Sequence, residues 1–285
     1  MISIVEAHHG PENQRYAIML DDQARVEVVV YRGDSLCISC QVGCAVSCPF
    51  CASGAHGLAR NLTFEELVAQ VDLIREKHPD VARVTLSGVG EPLHNIDTVA
   101  RFINWGRDQM LPVSLTTSGG PVRHLRLALS LPHRGLTVSV HAGSEATRKR
   151  LVPRGPSLKS LFTVLQEELK KLSSSRRRKL ALAYLMLDGI NDSDNEIDRF
   201  LALVQPLGVK IHLYAHNAIN GDDIHHTSEI RYQKIFERML KAGLNVRRSS
   251  QSRIQENGGC GTLLAFRPVQ IRSVRPDPKD PIPAS

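Results

Sequence analysis

No stretch of the 285-residue chain approaches the ~20 uninterrupted apolar residues that a membrane span needs. An integral membrane helix is therefore excluded, and no membrane partner is expected. The opening residues, MISIVEAHHGPENQRY, carry neither a basic start nor an apolar run. No signal peptide is expected, and the reading is a cytoplasmic protein. No internal period is visible, which excludes collagen-like and solenoid folds. The composition is not that of a disordered chain either: 42% of residues are hydrophobic and 23% charged, ordinary for a globular protein.

The charge balance is basic, with 36 Lys and Arg against 29 Asp and Glu and a formal net charge of +7. That excess is compatible with a polyanionic partner but does not identify one. The six cysteines are more informative. Five of them (Cys37, Cys40, Cys44, Cys48 and Cys51) fall within fifteen residues, and Cys260 stands alone near the C-terminus. Disulfide staples suit small secreted domains, not a chain of this size without an export signal. The clustering points to metal or redox chemistry.

Residues 1–35 contain short alternating segments such as VEVVV, read as a short β extension. Beyond residue 36 the pattern changes to strand–helix alternation, with strands expected near 36–42, 82–87, 112–117, 136–140, 180–187 and 209–214. The helix after the cysteine cluster opens on a capping box, with Thr63 as N-cap and Glu66 reaching back. Leu67, Val71 and Ile74 then recur at helical spacing. Six βα units predict an α/β fold with a parallel sheet under outer helices. A partial (β/α)6 barrel spanning 36–267 suits six units better than a closed eight-unit barrel. In parallel α/β folds the active site lies at the C-terminal ends of the strands. The run Ser173–Lys179 reads as a loop, and the Pro-rich tail 268–285 as flexible.

Cys44, Cys48 and Cys51 form a C-x3-C-x2-C triplet after the first barrel strand. Thiolates are soft ligands that suit iron–sulfur clusters or zinc. A closed structural zinc site takes four protein ligands, so zinc requires Cys40 or His56 as a fourth. Three ligands leave one iron of a cubane open.

This triplet is the signature of the radical S-adenosylmethionine (SAM) superfamily, and the resemblance extends along the chain. The segment Leu36–Cys44 with Ala59-Arg60-Asn61-Leu62-Thr63 resembles the RlmN/Cfr family of adenine methyltransferases acting on 23S rRNA and tRNA. In order, Gly88-Val89-Gly90-Glu91-Pro92-Leu93 is similar to that family's GMGEPL, Thr116-Thr117-Ser118-Gly119 to its STSG, and Ser139-Val140-His141-Ala142 to its SLHA. Residues 184–192, YLMLDGIND, resemble its YVMLDGVND, and Cys260-Gly261 resembles its terminal ACGQL. The matches cover residues 26–265.

The resemblance implies a radical SAM methyltransferase that methylates an sp2 carbon of adenine, C2 or C8, in RNA. Cys44, Cys48 and Cys51 would hold a [4Fe-4S] cluster, and an electron donor such as flavodoxin or ferredoxin would reduce it. Gly90, Glu91, Ser118, Ser139, His141 and Asn217 would contact S-adenosyl-L-methionine. Cys260 would carry a methyl group, Cys37 would resolve a protein–substrate crosslink through a disulfide with Cys260, and Glu27 would remove the substrate proton. Outside the resemblance, Cys260 reads as a small apolar residue and Glu27 as a solvent-facing strand glutamate. The chain departs from the family in three places. It has only about 25 residues before the Glu27 strand, where the family has an N-terminal helical domain that helps hold RNA. Cys40 replaces a serine. The terminal motif reads GGCGTL.

The same chemistry on a free nucleotide, small molecule or peptide is the alternative, and a non-catalytic Fe–S nucleic-acid-binding or redox-sensing module is a further one. For RNA phosphates, the available cations include Arg60, Arg148, Lys149, Arg150, Arg154, Arg247 and Arg248, with 176–179 read as a solvated face. The histidine pairs His8/His9 and His225/His226 have no matching partners and read as surface residues.

Overall fold

Alternation along short parallel strands gives this protein a sheet with one apolar and one polar face. The computed structural model describes residues 2–217, 223–249 and 261–264. Its strands are β1 (Ser3–His9), β2 (Asn13–Met19), β3 (Arg25–Tyr31), β4 (Ser35–Ile38), β5 (Gln41–Gly43), β6 (Leu58–Asn61), β7 (Arg83–Leu86), β8 (Val113–Thr117), β9 (Gly135–Ser139), β10 (Leu180–Met186), β11 (Lys210–Ala215) and β12 (Val246–Arg248). Ten of them form one sheet in the order β1-β2-β3-β4-β7-β8-β9-β10-β11-β12, while β5 and β6 pair separately. From β1 to β4 the neighbours are antiparallel. From β4 to β12 every neighbour is parallel.

The expected partial barrel is therefore present, and its sheet does not close. The six expected barrel strands are β4 and β7 to β11. A seventh parallel strand, β12, was not expected. Its three residues VRR give too short an apolar signal to stand out. The N-terminal extension continues the same sheet, because β3 bonds directly to β4.

One face of each strand is sealed by helices. Leu36, Ile38, Val84, Leu86, Val138, Leu182 and Ile211 are fully buried. They belong to a single core with Leu67, Val71 and Ile74, the stripe of the helix Phe64–Arg75. Thr63 caps that helix and Glu66 completes the capping box, as the sequence predicts. The opposite face carries small and polar side chains. Register aligns Arg15, Val29, Cys37, Thr85 and Ser114 in one row, and Thr116, Thr137 and Ala181 in another. A barrel lumen is normally filled by bulky branched residues. Here Thr85, Ser114, Thr116 and Thr137 remain half-buried, so the inward face stays accessible.

Two sequence expectations need correction. The strand expected over 36–42 breaks at Ser39, where side chains replace sheet hydrogen bonds. Gln70 accepts from the Ser39 N–H at 3.0 Å and donates to its carbonyl at 3.1 Å. Asn95 donates to the carbonyls of Cys40 and Leu62. The chain then turns out to form β5, ahead of the cysteine triplet. The run 173–179 contains one helical turn, Ser174–Arg177, capped by Ser173. Arg176 of that turn binds the carbonyls of Ser130 and Leu131. No helix among the described residues is long and apolar enough to cross a membrane.

Candidate active site

A cavity at the C-terminal ends of the parallel strands is lined by Cys44, Cys48 and Cys51 on one side. Ser87, Gly88, Gly90, Glu91, Thr116, Thr117, Ser118, Ser139, His141, Leu185, Tyr214, Ala215, His216 and Gly261 line the rest, with Val46, Phe50 and Val152 beside the thiols. The three cysteines and five of the six expected SAM contacts are thus gathered in one place. Asn217 is not in the wall; its neighbour His216 is. Cys260 lies outside the described residues, although Gly261, next in the chain, lines the cavity.

The cysteine loop is fixed by its own backbone. The Cys44 N–H donates to the Gly57 carbonyl at 3.2 Å, and the Cys51 N–H to the Cys48 carbonyl at 3.1 Å. Gly43 has φ +80°, and a Cβ there would lie 2.0 Å from the Gly57 carbonyl oxygen, so no other residue fits. Burial pushes the Cys44 thiol up to about 12 and raises Cys48 as well. Metal binding would therefore release protons.

These residues fit an iron–sulfur cluster. Three soft donors face one cavity among Val46, Phe50 and Val152, and a cubane takes one thiolate per iron. Among the described residues, no three His, Cys, Asp or Glu side chains converge on a single-ion site. Of the two fourth ligands that zinc would require, His56 is exposed and outside the cavity wall. Cys40 is 2% exposed and absent from the cavity wall.

Glu91 knits the loop after β7 to the end of β8. Its carboxylate accepts from the Leu93 N–H at 3.0 Å, from the Ser118 N–H at 2.7 Å and from the Thr117 hydroxyl. Its own N–H donates to buried Gln41 at 2.8 Å. Gly90, at φ +111°, leaves no room for a Cβ against Gln41. Ser118 Oγ is buried without a hydrogen-bond partner in the cavity wall, where a polar ligand atom would satisfy it.

His141 is held in a left-handed backbone conformation, φ +57°. Buried Asn191 grips its carbonyl at 2.8 Å, and Glu196 accepts from the Gly143 and Ser144 N–H groups just beyond. The ring accepts the Leu185 N–H at Nδ1, which leaves the proton on Nε2. Burial, with the Arg148 charge nearby, pushes its pKa down to about 3, so the ring is neutral.

Arg148 is not available for phosphates. It is 1% exposed, and its guanidinium donates to the carbonyls of Ser118, Ser139, Val140 and Pro156 at 2.7–3.1 Å. It clamps the ends of β8 and β9 beneath the cavity. Arg60 is likewise occupied, by Asp22 and Glu66.

Cys37 and Glu27 sit on the inward face of the sheet, beside the cavity. Cys37 Sγ lies 3.1 Å from the hydroxyl of Ser87, a wall residue. Glu27 is 6% exposed, which overturns the solvent-facing reading. Its carboxylate accepts from the Leu264 N–H at 2.7 Å, and Arg15 Nε lies 3.9 Å away. Burial raises its pKa, and the Leu264 bond opposes that rise. Residues 261–264 are stitched between Glu27 and the cysteine loop, where the Gly261 and Leu263 carbonyls accept from the Ala52 N–H and the Ser53 hydroxyl.

Sequence reasoning did not single out Ser87, Thr116, Tyr214 or His216. Their signal is positional: each stands at or just past the end of a barrel strand.

The open α/β sheet, the three thiols at its C-terminal rim and the Gly-Glu-Pro loop define a class of enzyme. The sequence profile of the radical SAM superfamily matches residues 38–201, and the chain belongs to that superfamily. Within it the chain is of the RNA-methyltransferase-like kind. It is 32% identical over 291 aligned positions to a probable RNA methyltransferase of Thiobacillus denitrificans, covering 98% of this chain and 78% of the relative. A radical SAM methyltransferase structure from Sphaerobacter thermophilus superposes with a TM-score of 0.83 at 26% identity, covering 92% and 81% of the two chains. Streptococcus suis SuiB, solved bound to S-adenosylmethionine, shares the fold with a TM-score of 0.59 at 10% identity, over 75% and 50% of the chains.

Proposed function

We propose that the protein methylates an sp2 carbon of adenine, C2 or C8, in rRNA or tRNA. In this reading Cys260 is the methyl carrier, Cys37 the resolving thiol and Glu27 the base. One observation carries it. The segment that follows Cys260 runs from the cavity wall at Gly261 to a hydrogen bond on Glu27, and Cys37 contacts the wall residue Ser87.

Cys44, Cys48 and Cys51 would hold a [4Fe-4S] cluster. Gly90, Glu91, Ser118, Ser139 and His141 would hold SAM, with His216 and Asn217 at the rim. When bound and reduced by an electron donor such as flavodoxin or ferredoxin, the pair would supply the radical chemistry that activates a methyl group on Cys260. The chain's residues manage what precedes and follows. C2 and C8 of adenine have no lone pair with which to attack a methyl donor, so a protein-borne carbon must be brought to them. Cys260 delivers that carbon and stays bonded to the base through it. Glu27, whose pKa burial raises, would take the proton from the ring carbon, and the accompanying electron would return to the cluster. Cys37 would then attack the Cys260 sulfur as its S–C bond breaks; the freed carbon takes a proton to become the methyl group, and an external thiol reduces the Cys37–Cys260 disulfide before the next turnover. The neutral His141 would offer its Nε2–H to a polar atom of SAM.

The test is peptide mass spectrometry after anaerobic expression with iron and sulfide. One added methyl on the Cys260 peptide is expected. An unmodified Cys260 after incubation with SAM and reductant overturns the methyl-carrier reading.

A further inference from the structure

The inward face of β11 reads Lys210, His212, Tyr214, alternate residues about 6.6 Å apart along one side of the strand. Tyr214 reaches the cavity wall. Its hydroxyl is hydrogen-bonded to His212 Nδ1 at 3.2 Å, and the two rings stand at 63° with centroids 5.9 Å apart. All three residues are half-buried, so their inward side is accessible.

Strand β12 adds a second cation beside this stripe. Register places Arg247 next to His212, and neighbouring residues in register share a face. Arg248 points to the other face, where its guanidinium lies 5.0 Å over the Phe236 ring of the helix Glu229–Lys241. Arg247 is exposed on the inward side. On the other flank β10 presents Ala181 and Ala183, in register with Lys210 and His212, and then Leu185, in register with Tyr214 at the cavity wall.

We propose that this stripe is a track for a single-stranded polynucleotide leading into the cavity. The proposal rests on the RNA reading above and deepens it. A base stacks on Tyr214 at the cavity wall, and the sugar–phosphate chain beyond it passes His212 between Arg247 and Lys210. Aromatic platforms with flanking cations are the means by which proteins hold single strands without reading sequence. A free nucleotide has no use for cations two rows below its base. The track therefore selects a polymer and supplies a grip on RNA within the barrel itself.

The experiment is fluorescence-anisotropy binding of a labelled, adenine-containing single-stranded RNA decamer to the full chain across a salt series. Lys210→Gln and Arg247→Gln should each lower the slope of log affinity against log salt by about 0.7. Arg247→Lys should restore the slope. Tyr214→Leu should weaken binding by roughly ten-fold at every salt concentration with the slope unchanged. Wild-type affinity and slope in all variants would overturn the track and leave the RNA reading standing. If the wild-type chain binds adenosine monophosphate but no RNA, the track and the RNA reading both fail.

Discussion

The Glu27 carboxylate and the Leu264 backbone N–H are 237 positions apart in sequence and 2.7 Å apart in space. The bond joins the N-terminal extension to the segment that follows Cys260, so the carboxylate proposed as the base is held by residues 261–264. Glutamine at position 27 keeps an acceptor for Leu264 but cannot take a proton. Glu27→Gln is expected to fold and to accumulate a Cys260–RNA adduct, detectable by intact mass. Linkage gives an independent check. Burial raises the folded-state pKa of Glu27, so its contribution to stability is fully present below the unfolded value and is lost as pH rises through the folded one. Relative to wild type, Glu27→Gln should therefore gain stability as pH increases. A parallel pH dependence for the two proteins would show that Glu27 is not held as described.

Cys37 stands on β4, inward, 3.1 Å from the Ser87 hydroxyl. Cys37→Ala leaves the cysteine triplet and the cavity intact. It is expected to retain full iron and sulfide content while stalling with RNA attached to Cys260. Cys44→Ala should instead lose the cluster, measured as iron and acid-labile sulfide, together with all SAM cleavage. Normal turnover by Cys37→Ala without an adduct would remove it from the reaction.

Acid should destabilise the fold before the carboxylates titrate. Burial pushes His141 down to about 3 and His133 to about 4, from an ordinary value near 6.5. Both groups bind fewer protons folded than unfolded. Stability is therefore lost as pH falls below about 6.5, by up to about 1.4 kcal/mol per pH unit for each histidine. The loss from His133 should level off near pH 4. Urea denaturation between pH 7 and 4 should show this slope, and His133→Gln should remove its share.

The cysteine triplet and the loop residues of the cavity were legible because local sequence dictates them. The Cys44–Cys51 spacing, the Gly90–Glu91 turn and the Thr63 cap need no distant partner to be recognised. The burial of Glu27 was not legible: a glutamate in an alternating strand reads as solvent-facing until a segment more than two hundred residues away covers it. The break at Ser39 was hidden for a similar reason, because Gln70 and Asn95 supply its replacement hydrogen bonds from two separate elements. The β11 stripe was hidden because its meaning depends on which face of the strand turns inward, and that is set by the whole sheet.

Arg148 is the clearest reversal and the basis of the last prediction. In the sequence it heads Arg148-Lys149-Arg150, which reads as a set of cations available for RNA phosphates. In the fold it is 1% exposed and is the donor shared by four carbonyls at the ends of β8 and β9 and in the loop at Pro156. Burial lowers its pKa to about 10, with nearby Cys48 and Glu91 opposing the shift, so it remains a cation at neutral pH. Arg148→Met would leave those carbonyls buried without donors, and should cost about 3–5 kcal/mol in chemical denaturation. Arg148→Lys restores the charge but not the planar fork that reaches four acceptors at once, and should recover only part of that loss. A stability change within about 0.5 kcal/mol for Arg148→Met, typical of a surface site, would return Arg148 to the phosphate-accessible cations of the sequence reading.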